Sequence, residues 1–598
     1  MAMIHRRLLA SIAMSLAAGT AAADPPGPVT ACASDTQIGA GLNLAQALAA
    51  GGVIRFACQP GSTIRVTGHY TLHGSTLIDG GDAVTLDGHG GVGPMLSASE
   101  NVILRRLTVR GFAQKPIVPT PGKSLGRITG SVLAASGDAE LDRVTIEASD
   151  FPIDVGGTAT VKDSAFVGNR GGLAVAVRGT AHVDRSRVTG GSQTLSISGG
   201  WVRECTFTDL TTGAVSIREA SAPVEIRHST FAGTRGRPAL ALSQQAGLRG
   251  PQTITVRANV FRDNDGGTAA GAISLFDVAQ DARDRGQSAS VIGVLAALPP
   301  ASFVLGYNRF TGNRGGRGGA IAADLAHTGG MISTGDLFVG NTAGGDGGAI
   351  VVSGGALHVS HALFKANRAG ARGAALAVSS NASATIANAL VVGNAGPSGT
   401  IEGSAVTVTN VTIADNEAAG LRLDASAARA ANVLLAHNRP ADCAQVPAGV
   451  FRGGGLQSDG SCPGVAVGDA FLDAFYVPAA GSPALRAGDP AICRGSMVGG
   501  VDLPFQGRPG RDGCALGAFE RAPLRKFSFT TDRREPHADK RDDFTDDEGY
   551  RPAPGPPAHS PAAAYQKYTI VVVIGVFVIL LLVWRARRRE GSLKGKTL

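Results

Sequence analysis

Along this chain an apolar residue repeatedly stands three positions before an Asn. The pairs are Phe166/Asn169, Phe261/Asn264, Phe310/Asn313, Phe338/Asn341, Phe364/Asn367, Val391/Asn394, Ile413/Asn416 and Leu435/Asn438. From Asn313 through Asn341, Asn367, Asn394 and Asn416 to Asn438 the separations are 28, 26, 27, 22 and 22 residues. A register of this kind is the mark of a repeat architecture. Between the Asn positions run short apolar stretches, such as Leu357-His358-Val359 and Leu390-Val391-Val392, separated by Gly, Asn and Asp. Units of this length with several tiny strands fit a right-handed parallel β-helix, an all-β solenoid with one coil per unit. With 84 Gly in 598 residues, a helical bundle is disfavoured, because Gly costs about 1 kcal/mol relative to Ala inside a helix.

In such a solenoid the repeated residues have mechanical tasks. The Phe, Val, Ile or Leu stacks inside the tube. The Asn is expected at a corner with φ > 0, bonding its amide to the coils on either side. Gly318-Gly319 and Gly347-Gly348 read as tight corners. Two stretches break the period, Ala113–Gly126 and Phe276–Ala301. Extra length in a solenoid becomes a protruding loop, often on a binding face.

The ends of the chain read differently. Residues 1–23 resemble a secretory signal, with a basic start at His5, Arg6 and Arg7, an apolar Leu8–Leu16 and small residues at 21–23. Tyr568–Trp584 is long enough and apolar enough for one transmembrane helix. The Arg-rich segment 585–598 then belongs in the cytoplasm by the positive-inside rule. Between fold and span, residues 524–567 form a charged, then Pro-rich stalk. Its acidic cluster (Asp542, Asp543, Asp546, Asp547, Glu548) is expected to be solvated rather than calcium-bound. Much of the net charge of +8 sits in the two termini, so a nucleic-acid partner is not expected.

These segments divide the chain into a signal peptide (1–23), an N-terminal cap with the first coils (24–100), β-helix repeats (101–440), a disulfide-stapled C-terminal cap (441–523), stalk, span and tail. Export permits disulfides. Local pairing gives Cys32–Cys58, Cys443–Cys462 and Cys493–Cys514. The four C-terminal cysteines also allow other connectivities. Cys205 is left as a buried thiol.

The Phe-x-x-Asn and Gly-Gly-Ala-Ile units resemble those of chlamydial polymorphic outer-membrane proteins and of right-handed parallel β-helix proteins with a pectate-lyase-like fold. Gly481-Ser482-Pro483-Ala484, Gly488-Asp489, Val501-Asp502, Gly507-Arg508-Pro509 and Leu516-Gly517-Ala518-Phe519-Glu520 are similar to a choice-of-anchor Q region. That resemblance implies surface display with a variable C-terminal tether. It says little about activity, since the fold hosts lyases, glycosidases and inert stalks. The barrel strands of the chlamydial proteins are missing from the sequence pattern.

Catalytic constellations are sparse. Glycoside hydrolysis needs paired carboxylates around the scissile bond. Gly88-His89-Gly90 falls too early in the repeat, and the Asp-Asp pairs fall in the stalk. Asp150 and Asp154 read as solvated loop residues, Asp263 and Asp265 as turn residues. Cys205 has no visible partner base, and no His/Cys spacing suits zinc. No catalytic residue, cofactor or metal is therefore assigned. The reading is a membrane-anchored extracytoplasmic β-helix, non-enzymatic, serving as spacer, adhesin-like surface or ligand-binding ectodomain. The alternatives are a polysaccharide lyase or glycoside hydrolase, and a glycan-binding module without turnover. Partners are the membrane and a polysaccharide or cell-surface ligand.

Overall fold

The computed structural model describes residues 27–520, apart from positions 40, 92, 114–130, 172–174, 219, 245–249, most of 278–295, 380, 425–426, 496–498 and 509–512. The expected signal peptide, stalk, membrane span and basic tail lie outside the described residues, as do nearly all of the first period-breaking insertion and half of the second. Among the described residues no helix is long and apolar enough to cross a membrane.

One coil shows how the sequence becomes structure. After Asn313 the chain runs through Arg314–Gly315, Ile321–Asp324, Met331–Thr334 and Leu337–Val339, and reaches Asn341. Each of these short strands pairs in parallel with its counterparts on neighbouring coils. Ile321–Asp324 pairs with Ile350–Ser353, Met331–Thr334 with Leu357–Ser360, and Leu337–Val339 with Leu363–Lys365. The pattern repeats through all the described coils, which makes the fold a parallel β-helix. Alternating burial along the strands puts every second side chain inside the tube.

Because the pairing is in register, like residues meet. Phe207, Phe231, Phe261, Phe310, Phe338 and Phe364 form one stack with ring centroids 4.8–5.0 Å apart. At the corner that follows, the Asn side chains form a ladder. The backbone N–H and Nδ2 of Asn341 both donate to Oδ1 of Asn367, at 3.0 and 2.9 Å, and Nδ2 also donates to the Phe310 carbonyl. The same set of bonds runs from Asn264 through Asn313, Asn367, Asn394 and Asn416 to Asn438, whose donors end on Asp442. One expectation is corrected. None of these Asn residues has φ > 0; the residue before each does, as Gly312, Gly340, Ala366, Gly393, Asp415 and His437. The turn is made one position early, so the Asn Cβ points inward, where the coil above can reach its amide. The corner glycines are tight in a literal sense, since a Cβ on Gly319 would collide with the Gly348 carbonyl oxygen.

A second ladder occupies the preceding corner. Ser164, Ser186, Cys205, Ser229, Asn259, Asn308 and Asp336 each lie two residues before the stacked aromatic or aliphatic residue of their coil. The Ser, Asn and Asp side chains accept the backbone N–H of the ladder residue on the coil before, as Ser229 Oγ does from Cys205, Asn308 Oδ1 from Asn259 and Asp336 Oδ1 from Asn308. Cys205 is the free, buried cysteine. Burial pushes its thiol up to about 12, so it is inert.

The ends are sealed. A helix the sequence reading does not place, Leu44–Ala50, begins with an Asn43/Gln46 capping box and buries Leu44, Ala47 and Leu48. Disulfides join Cys32–Cys58, Cys443–Cys462 and Cys493–Cys514. The third does not close the solenoid end. It lies in a segment, roughly 488–520, that folds back as a plate along the side of the last coils. Ala518 N–H donates to Thr412 Oγ1, Gly517 N–H to the Asn432 carbonyl and Asn388 Nδ2 to the Val501 carbonyl. Phe505 stacks on His361 with centroids 4.5 Å apart. This plate is why the outward-facing Leu390, Thr412 and Leu434 are buried.

Phe338→Ala removes one ring from the middle of the stack. It is expected to cost about 3–5 kcal/mol in denaturant unfolding. The same change at Phe475, which is 57% exposed, is expected to cost under about 0.5 kcal/mol.

Candidate functional site

The outer face richest in chemistry is the strand row that leads into the second ladder. In-register pairing sets Thr160, His182, Trp201, Glu225 and Thr255 side by side, with Lys162, Asp184, Arg203, Arg227 and Arg257 in the adjacent row. His182 and Trp201 stack with centroids 3.6 Å apart. Trp201 Nε1 donates to both Asp184 oxygens, and the Arg203 guanidinium lies 4.5 Å from the Trp201 ring. Arg203 also donates to Glu225, which Arg227 approaches at 3.5 Å. Burial lowers the His182 pKa, against the pull of Asp184. The group is therefore a neutral imidazole clamped against an indole, not a poised acid.

This arrangement limits what the face can do. A sugar stacks on an open aromatic face, and His182 and Arg203 already lie against Trp201. A general acid needs a carboxyl kept protonated near neutral pH. Five outward carboxylates along the coils are instead tied to donors. Asp79 pairs with Arg106, Asp87 with Arg110, Asp142 with Arg105, Asp163 with Arg185 and Asp346 with Arg372. Burial raises the carboxyls of Asp79, Asp87 and Asp346, but guanidinium and amide donors more than offset it and hold all three below the usual range. For Asp163 the Arg185 hydrogen bond is itself the dominant influence.

The carboxyls that do rise are sealed inside. Burial lifts Asp336 to about 7 despite the donors Ser333 and Asn308, and its side chain is fully enclosed at the end of the second ladder. Burial lifts Asp502 to about 6 within the C-terminal plate, where it accepts from the backbone N–H groups of Gln506 and Glu520. The same plate gives Arg508 and the Leu516–Glu520 motif a structural task. Arg508, 5% exposed, donates to the carbonyls of Ala515 and Gly517 and faces Glu520 at 3.7 Å. Cys493, Cys514 and Glu520 lie close enough to suggest a metal site. The two sulfurs are bonded to each other and Glu520 already faces Arg508, so the trio does not suit a cation.

The other residues singled out by sequence fall apart spatially. Asp150 pairs with Arg170. Asp154 corrects its reading as a solvated loop residue: it is in a strand, 1% exposed, and takes two bonds from Arg178. Asp265 caps Gly267 in its turn. His89 has φ 47 and donates its N–H to Asp87, so Gly88-His89-Gly90 is a corner.

No family model and no curated protein matches the chain. Among solved structures it is similar to the periplasmic alginate epimerase AlgG. It is 11% identical to a point mutant of that protein, with a TM-score of 0.30, and 9% identical to the protein itself, with a TM-score of 0.29. Both alignments cover 61% of this chain and 74% of the other. Values this low carry no argument about fold or activity; the strand pairing above defines the fold.

Asp336 yields a pH prediction. Its folded pKa is raised to about 7 from an ordinary 3.8. The stability it contributes is full below the ordinary carboxylate range and is lost as pH rises toward 7. Asp336→Asn keeps the acceptor and removes the charge. Its melting temperature should exceed that of the parent by on the order of a few degrees at pH 8, with the gap closing toward pH 4. A gap that is constant across this range would show that the carboxyl is not buried as described.

Proposed function

We propose that this chain is an exported, membrane-tethered β-helix whose solenoid works as a rigid, non-enzymatic spacer and display surface. The supporting observation is the division of its carboxyl groups. Asp79, Asp87, Asp142, Asp163 and Asp346 on the outside are spent on coil-to-coil pairs, and the raised Asp336 and Asp502 are enclosed where no substrate reaches. In this reading residues 1–23 are removed on export and Tyr568–Trp584 holds the chain in the membrane. The choice-of-anchor-like motifs form the clasp from which the stalk departs. The unbroken ladders supply the stiffness a spacer needs, since bending would have to break bonds inside a dry tube.

The purified full chain, incubated with neutral and acidic polysaccharides, should release no new reducing ends, unsaturated products or inverted uronates. Any such product that disappears when the chain is heat-denatured would overturn the non-enzymatic reading. Protease added to intact cells should remove the solenoid and leave the 585–598 tail protected. Cleavage of that tail from outside would overturn the orientation.

A further inference from the structure

Ahead of the plate, the sequence Asp469-Ala470-Phe471-Leu472-Asp473-Ala474-Phe475 repeats Asp-Ala-Phe. Each Asp fixes the Phe that follows it. Asp469 Oδ1 accepts the Phe471 N–H at 2.7 Å, and Asp473 Oδ1 accepts those of Phe475 and Val477 at 2.8 and 2.9 Å. A small hairpin results. Leu472 bridges Pro478, Asp473 N–H donates to the Val477 carbonyl, and Ala479 N–H donates to the Phe471 carbonyl. Its base is anchored, with Ala470 and Val477 buried and Ser482 Oγ donating to the Ala470 carbonyl at 2.6 Å. Tyr476 hydrogen-bonds Asp415 on the solenoid corner.

On this fixed frame Phe471 and Phe475 are 55% and 57% exposed, and the nearby Val467 is 62% exposed. Phe elsewhere in the solenoid stack is wholly enclosed. Phe471 also has φ 44, a region that a bulky side chain rarely adopts. A backbone held this way to point an aromatic at solvent indicates a surface with a use.

Charge selects the occupant. Asp469 and Asp473 cap the two turns that carry the rings, and Asp415 is bonded to Tyr476, next to Phe475 in the chain. Among the described residues no Lys or Arg forms an ion pair with them; only His437 stands 3.6 Å from Asp415. Surfaces that enter a bilayer interface carry Lys and Arg instead. A second copy meeting this patch about a two-fold axis would set carboxylates against carboxylates. We propose that the 469–479 hairpin docks a partner polypeptide presenting lysine or arginine beside apolar side chains, with Phe471 and Phe475 as anchors and Asp469 and Asp473 as the charge match. This goes beyond the spacer reading and stands independently of it.

The test places p-benzoylphenylalanine at position 471 or 475 of the full chain in its own membranes, with the 93% exposed Ile38 as control site. Irradiation should give a discrete protein adduct at 471 and 475, whose mapped contact peptide carries Lys or Arg next to apolar residues. The pair Asp469→Asn and Asp473→Asn keeps both turn acceptors and removes both charges, so it should reduce the adduct roughly tenfold. Circular dichroism and protease resistance confirm that the variant folds. Adducts confined to lipid, glycan or a second copy would overturn the proposal. So would a yield no higher than at Ile38, or one unchanged in the Asn pair.

Discussion

An amide enclosed in a dry tube must find its partners along the axis. That requirement organises this protein. The coils bring polar side chains inside at one corner or two, and each such group costs about 1–3 kcal/mol if left unpaired. The next coil offers the matching acceptor only when it stacks in register. A one-residue slip would turn every inward side chain outward. The ladder from Asn264 to Asp442 is therefore both a bonding network and a register lock. The Phe207–Phe364 stack rests on the same register, filling the space between the ladders with rings.

Register imposes order on the outside as well. Side chains facing solvent recur at the strand spacing of ~4.8 Å, so like charges would repel unless opposite charges alternate with them. Asp163 with Arg185 and Asp346 with Arg372 follow this pattern. Where such pairs form, the carboxylates are neutralised locally, which is good for a rod and poor for acid–base chemistry. At the far end the plate covers outward Leu390 and Leu434, apolar positions that a bare solenoid would expose. The buried Arg508 holds that plate closed through two carbonyls and Glu520.

Much of this is legible in the sequence because repetition amplifies a weak signal. Phe-x-x-Asn recurs often enough to reveal the coil, the ring stack and the first ladder. The second ladder escapes such a reading because its positions vary among Ser, Cys, Asn and Asp. What unites them is burial at one corner rather than residue type, although their constant place two before the Phe is a signal that could find them. Sequence places the left-handed turn on the Asn because Asn tolerates φ > 0, yet an inward Cβ at that corner requires the preceding residue to turn. Asp154 looks like a loop residue beside Pro152, since nothing in the local sequence announces Arg178 on the next coil. The side-on plate and the exposed hairpin depend on where the chain goes after the last coil, which no local period encodes.

A double-mutant cycle tests the ladder most directly. Asn341→Ala, Asn367→Ala and their combination should be non-additive in unfolding free energy, with a coupling of about 1–3 kcal/mol. Asn264→Ala with Asn416→Ala, separated by several coils, should add within about 0.5 kcal/mol. Additivity for the adjacent pair would mean that the amides do not bond from coil to coil, and the register lock would have to be something else.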